Sequence, residues 1–404
     1  MRFVLGILIS IFFISVHAQT ERVPFPHHTD YYPGIIKPDH VARHILDSAV
    51  LSFYLDWKKK YIREACNRNE YYVWSEGIKN TISVSEGQGY GMQIVVFMAG
   101  ADTDAHAIYD GLYSYFCKHP SGRSSSLMAW KQKAGCKDAD LSSATDGDMD
   151  IAFSLLLADK QWGSKGIINY KLEGEKMLSA IMEQEINKQK WSLLLSNEVQ
   201  QDSKDYFDMR SSDFMPATFR TFGEVSQSKN WQAVIQANYK TFKKVQKEFS
   251  ADAGLVPDFL QILHGKLRPA KSRYLESVYD GCYNYNACRV PWRVALDYIL
   301  NGDKRSKEFI DPINIWIKET TSGKPDNISA GYTLGGDDLP RRNFEALSFI
   351  CPFAVAAMTD KKHQLWLNKL WDYIVGFKLR EFDYYDNSIK MICMIIISGN
   401  YWQP

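Results

Sequence analysis

Carboxylic acids set among glycines, tyrosines and an arginine are the residues of this chain best suited to chemistry, and they fall in three stretches. The first is Ser83-Val84-Ser85-Glu86-Gly87-Gln88-Gly89-Tyr90-Gly91-Met92. Glycines at three alternate positions let another chain come close. They place Glu86 on a loop, and the apolar run from Met92 to Met98 then opens a helix. On this segment alone a solvated loop carboxylate fits as well as a functional acid. A dinucleotide site is excluded, because the spacing is GxGxG rather than GxGxxG and no clear strand precedes it.

The second stretch runs from Ala144-Thr145-Asp146-Gly147-Asp148-Met149-Asp150 to Trp162. Thr145 and Asp148 resemble a capping box at a helix start. Asp146 then sits in the first turn, where the helix dipole favours its ionised form. The helix that follows is apolar nearly all round and is expected to be an inner one. A calcium loop is excluded, since Ile151 stands at its glycine position and Leu157 at its glutamate position. Asp148 and Asp150 are read as helix caps; Asp146 is not.

The third stretch, from Tyr274 to Arg293, carries Glu276, Asp280, Tyr283, Tyr285, Asn286 and Arg289 on a tyrosine-rich run that enters a helix near Pro291. It supplies acids, stacking faces and a cation, although Arg289 by itself reads as a structural ion-pair partner.

Helices must position these groups. Apolar residues recur at spacings of three and four through 41–62, 91–99, 104–116, 149–160, 171–187, 230–248, 289–300, 306–318, 344–358 and 363–376. Turn residues separate them, as in Asn301-Gly302-Asp303. No Pro/Gly/Ser-rich linker divides the chain. An all-α domain over 19–404 is expected, and periodicity fits both a barrel of helical hairpins and an irregular bundle.

The segments together resemble glycoside hydrolase family 8. The 144–162 stretch matches that family's signature at nearly every fixed position. Ser85–Met92 resembles the loop carrying its general acid, and Arg210-Ser211-Ser212-Asp213-Phe214-Met215 and Asn286-Ala287-Cys288-Arg289-Val290-Pro291 are further matches, in order across about residues 45–375. The resemblance implies an (α/α)6 barrel, endo action on β-1,4-linked polysaccharide and inversion at the anomeric carbon. It assigns Glu86 as general acid and Asp146 as the residue that grips the distorted sugar. Many members carry Asp as general base where this chain has Asn286, which has no carboxylate. A branch with Asn there uses a Glu on an inserted loop just upstream, so Glu276 inherits the role, with Asp280 in reserve. Tyr90, Trp130, Asp213, Phe214, Asp280, Tyr285, Asn286 and Arg289 are expected to bind substrate.

That branch includes chitosanases, lichenases and β-1,4-glucanases. Chitosan is the first expectation here, because Glu276, Asp280, Asp213, Asp337 and Asp338 offer acids to a cationic polymer, and β-glucan is the alternative. A non-catalytic carbohydrate-binding barrel and a polysaccharide lyase are the other classes considered. No metal or organic cofactor is needed.

Composition agrees with a folded protein. Hydrophobic residues make up 45% and charged residues 24%, and the net charge of +1 gives no field for nucleic acid or an acidic membrane. The chain opens with Arg2, an apolar run from Phe3 to Ile14 and a small residue at Ala18. That is the pattern of a secretory signal over 1–18, too short for a spanning helix, and it implies secretion; a monomer is the separate expectation for the oligomeric state. Seven cysteines include no CxxC pair; most are expected to be buried small side chains, with Cys117–Cys136 the pairing considered.

Overall fold

The computed structural model describes residues 21–340, 346–381 and 383–404. The expected signal segment lies outside them. Among the described residues there are twelve α-helices: α1 Arg43–Tyr61, α2 Ser85–Phe97, α3 Ala105–Lys118, α4 Thr145–Trp162, α5 Tyr170–Gln184, α6 Pro216–Ser226, α7 Asn230–Phe249, α8 Val290–Asn301, α9 Lys304–Thr320, α10 Leu347–Ala357, α11 Gln364–Gly376 and α12 Tyr384–Ser398.

Burial sorts them into two rings. The even-numbered helices are apolar or small over most of their surface, and α2, α4, α10 and α12 are buried almost throughout. The odd-numbered helices bury one stripe only. In α7 the buried residues are Trp231, Val234, Ile235, Asn238, Tyr239, Phe242, Val245 and Gln246, the three-and-four spacing of a helix with one wet face. Contacts follow the same division. The inner helices touch in the order α6–α8–α10–α12–α2–α4, and the turn before α6 packs on α4 to close the ring. Each inner helix also packs on an outer one: α2 on α3, α4 on α5, α6 on α7, α8 on α9, α10 on α11 and α12 on α1. This is the (α/α)6 barrel. Among the described residues, strands are short two- and three-stranded pieces between helices.

The structure moves one helix start. α2 begins at Ser85 rather than near 91, so Glu86 lies in a first helical turn and not on a loop, while α4 begins at Thr145 with Asp146 in its first turn as expected. The glycines allow close approach, Gly89 and Gly147 between α2 and α4 and Gly91 against the strand residue Val73. A Cβ on Gly89 would lie 2.7 Å from Asp150 Cβ, one on Gly91 2.2 Å from Val73 Cγ2, and one on Gly147 2.8 Å from the Glu86 nitrogen. Hydrogen would be the only side chain that fits at these crossings. The capping box does not form: Thr145 Oγ1 donates to the Leu194 carbonyl at 2.7 Å, and Asp148 Oδ1 accepts from the Met128 amide at 2.8 Å. Asp150 is no cap either; it pairs with Arg293 at 2.8 Å.

Two helices carried no periodic signal. α12 is inner and apolar on nearly every side, so it has no wet face to set a period, and α6 is short and opens at Pro216. The disulfide joins Cys66 to Cys136, not Cys117 to Cys136. Cys117 is free and exposed on α3, while Cys288, Cys351 and Cys393 are buried as expected of small apolar side chains.

Gly147→Ala is expected to destabilise the protein by about 1–3 kcal/mol in denaturant unfolding, because the new methyl forces α4 away from α2. Gly376→Ala has no atom within 4 Å of its Cβ and serves as the control, with stability unchanged or slightly raised.

Candidate active site

The N-terminal ends of the inner helices meet at one rim of the barrel. Glu86 is the second residue of α2, Asp146 the second of α4 and Tyr384 the first of α12; Arg289 immediately precedes α8. A cleft of about 450 Å³ opens there, lined by Glu86, Trp130, Asp146, Arg210, Glu276, Tyr285, Asn286, Arg289, Asp383, Tyr384 and Tyr385 among others.

Arg289 ties the cleft together and is only 1% exposed. Its Nη1 donates to Glu86 Oε2 at 2.6 Å, to Asp146 Oδ2 at 2.7 Å and to the Tyr90 hydroxyl at 3.3 Å. Its Nη2 donates to Asn286 Oδ1 at 2.7 Å and to Ser212 Oγ at 2.9 Å. Asn286 Nδ2 in turn donates to Glu276 Oε2 at 2.7 Å. A continuous relay therefore runs from Glu86 through Arg289 and Asn286 to Glu276.

The two acids of the first turns are held in opposite charge states. Burial pushes Glu86 above the usual carboxylate range; Arg289 opposes this, Asp146 adds to it, and the Tyr384 hydroxyl, donating to Glu86 Oε1 at 2.8 Å, opposes it again. Burial also acts on Asp146, but the guanidiniums of Arg210, Arg289 and Arg293 overcome it and hold this carboxylate well below its usual range. Arg210 Nη2 reaches Asp146 Oδ1 at 3.1 Å. Glu86 is thus suited to keep a proton, and Asp146 to stay ionised.

Glu276 is exposed at the mouth, on a loop held by its neighbours. Asp280 is fully buried, and its two oxygens accept the backbone amides of Leu275, Glu276 and Ser277 at 2.7–3.0 Å. Asp258 does the same for the next segment, accepting from the amides of Asn284, Asn286 and Ala287 through Oδ1.

Trp130, Tyr285, Asn286 and Arg289 line the cleft. Tyr90, Asp213, Phe214 and Asp280 do not line it. Tyr90 is buried beneath Arg289 and Arg293. Asp213 is buried and accepts from Arg210 Nε at 2.8 Å; burial, with Asp146 nearby, raises it to about 6 against the pull of Arg210. Phe214 packs on Tyr239 and Phe242 in the core. Asp280 shapes the Glu276 loop and is not available as a reserve base. Asp337 and Asp338 are exposed and are not part of this cleft lining.

Sequence reasoning missed Arg210, Asp258, Tyr384 and Tyr385. Arg210 stood in a quoted motif without a role. The tyrosine pair opens a helix that had no periodic signal, although two adjacent tyrosines before an apolar run were visible. Tyr385 donates to the Tyr285 carbonyl, and Arg289 lies 5.8 Å from its ring centroid. Among the described residues, no group of three or more His, Cys, Asp or Glu is placed to hold a metal ion.

The family model of "Glycosyl hydrolases family 8" matches residues 45–399. The chain belongs to glycosyl hydrolase family 8. It is an endo-acting glycoside hydrolase. Among its family relatives, it is 41% identical to a beta-glucanase of Niallia circulans over 94% of this chain and 91% of that protein. An endoglucanase of Bacillus sp. (strain KSM-330) is 38% identical over 95% of this chain and 82% of that one. The solved apo structure of a beta-1,3-1,4-glucanase from Paenibacillus sp. X4 superposes with a TM-score of 0.90 at 40% identity, covering 95% of this chain and 99% of that one.

Tyr384→Phe removes a donor to ionised Glu86 and so favours the protonated form. If activity needs that proton, the alkaline limb of the kcat/KM profile moves to higher pH while the acid limb stays in place. An alkaline limb that moves to lower pH contradicts this electrostatic account.

Proposed function

We propose that the protein hydrolyses β-1,4 bonds within β-glucan, mixed-linkage β-1,3-1,4-glucan first and cellulose second, by a single displacement with inversion. The observation that carries the chemistry is the relay that sets Glu86 and Glu276 at its two ends across one cleft, the first raised in pKa and partly buried, the second at the solvent mouth. Glu86 gives its proton to the glycosidic oxygen as the bond to the anomeric carbon breaks. Glu276 takes a proton from a water that attacks the same carbon from the opposite face. An inverting pair of carboxyls stands roughly 6.5–9.5 Å apart to admit that water. Asp146, ionised between them, accepts hydrogen bonds from the sugar and favours the positive charge that develops on its ring. Asn286 orients Glu276 and takes no proton.

The substrate reading rests on relatives that carry the names beta-glucanase and beta-1,3-1,4-glucanase. The argument for chitosan loses two of its acids: Asp213 and Asp280 are buried and bonded away from the cleft, while Glu276, Glu76 and Asp383 line it together with Arg210 and Arg289. Trp130, Tyr285, Tyr384 and Tyr385 offer apolar ring faces suited to neutral glucose units. Export is supported by the N-terminal signal pattern and by the Cys66–Cys136 disulfide, which suits an oxidising compartment.

Glu86→Gln keeps the shape without the proton and is expected to lower turnover on polymer by about 10²–10⁴-fold, with less loss on glycosides that have good leaving groups. Glu276→Ala loses comparable activity, and Asn286→Ala much less. Near-normal turnover by Glu86→Gln on polymer removes it as the acid.

Proton NMR in the first minutes of lichenan hydrolysis is expected to show the α-anomer. The β-anomer appearing first rules out inversion. Chitosan cut faster than lichenan and cellulose at matched chain length overturns the substrate assignment.

A further inference from the structure

A second group of acids lies below the cleft, and the reaction above does not use it. Asp148 on α4 and Glu185 just after α5 are both 0% exposed. Asp148 Oδ1 accepts from the Met128 amide at 2.8 Å, and Glu185 Oε1 accepts from Ser143 Oγ at 2.5 Å. Their other oxygens, Oδ2 and Oε2, are buried with no donor from any other described residue, and the two carboxyls lie within hydrogen-bonding reach of each other. Two carboxylates cannot make that bond. One of them must bring a proton.

The surroundings favour keeping it. The charged groups that act on the pair are further acids, Asp146 on α4 and Asp213 in the turn before α6. Arg210, the guanidinium that bonds to both of those acids, is spent on them. Burial first pushes both carboxyls above their usual range; the charges of Glu185 and Asp146 add to it at Asp148, and those of Asp213 and Asp146 at Glu185. A folded-state pKa above the unfolded one means that the proton's contribution to stability is present at acid pH and lost as pH rises.

Four segments converge on the pair. Asp148 holds Met128, two residues before Trp130, whose carbonyl accepts the Ser85 amide at 2.9 Å beside Glu86. Glu185 holds Ser143, three residues before Asp146. The Glu185 carbonyl takes the Leu194 amide at 2.9 Å, and Ser143 and Asn197 bond to each other twice. We propose that Asp148 and Glu185 share a single proton, and that this shared proton positions the start of α4, with Asp146, and the strand end that carries Trp130. Both are positioning residues; neither reaches the cleft lining. The consequence for activity rests on the catalytic reading given above.

Glu185→Gln tests it, because the amide donates to Asp148 without a titratable proton. Each proton that activity requires makes kcat/KM fall about tenfold per pH unit on the alkaline side. The wild type is expected to approach about 100-fold per unit, one factor from Glu86 and one from the pair. Glu185→Gln is expected to fall about tenfold per unit and to stay active to higher pH. Its infrared spectrum at neutral pH is expected to lose part of the protonated-carboxyl C=O absorption. Asp148→Asn makes the same test from the other side if Glu185→Gln fails to fold. Wild type and variant with the same alkaline slope and the same infrared absorption overturn the proposal. The infrared difference reports on the pair alone and Glu86→Gln turnover on the acid alone, so the two readings fail separately.

Discussion

A guanidinium withdrawn from water has to find acceptors inside the protein, and Arg289 finds Glu86, Asp146, Tyr90, Asn286 and Ser212. That requirement fixes the cleft. The acceptors come from the starts of α2 and α4, from the turn before α6 and from the loop before α8, so the arginine can be satisfied only when the inner ring is closed. The glycines of α2 and α4 serve the same end. They let the two helices approach until Glu86 and Asp146 lie within reach of one nitrogen.

The same geometry accounts for Asn286. Its carboxamide accepts from Arg289 through Oδ1 and donates to Glu276 through Nδ2. An ionised Asp there would accept from Arg289 but have no proton to give Glu276, and would set a like charge beside it. Asn is the side chain that does both jobs, and it lets the carboxylate at the solvent mouth stand at the end of a fixed relay. Charge is divided along the way. Three guanidiniums hold Asp146 ionised, whereas burial, with Asp146 adding to it, outweighs Arg289, Arg293 and a tyrosine at Glu86. Two acids in equivalent positions, each the second residue of an inner helix, are thereby driven in opposite directions.

Much of this was legible in the sequence. The 144–162 signature and the order of the other motifs pointed to the barrel, and Glu86, Asp146, Glu276, Asn286 and Arg289 do converge on one cleft. The errors share a physical cause. A buried helix has no polar face, so α12 and its tyrosines carried no periodic signal. Motif residues were expected to bind substrate, but Asp213, Phe214 and Tyr90 are buried and do not line the cleft. A glycine-rich run looked like a loop, because the helix crossing that requires glycine is a property of two distant segments. Arg289, read alone as a structural ion-pair partner, is one, yet it also lines the cleft.

Arg289→Lys tests the dependence on that guanidinium most directly. Lysine keeps the charge but lacks the planar fork that reaches Glu86 and Asp146 through one nitrogen and Asn286 through the other. The measurement is kcat/KM on lichenan across pH, with folding checked by circular dichroism. The account predicts a folded variant whose kcat/KM falls by about 100-fold or more and whose acid and alkaline limbs both move. A folded variant with near wild-type kcat/KM and unmoved limbs contradicts it.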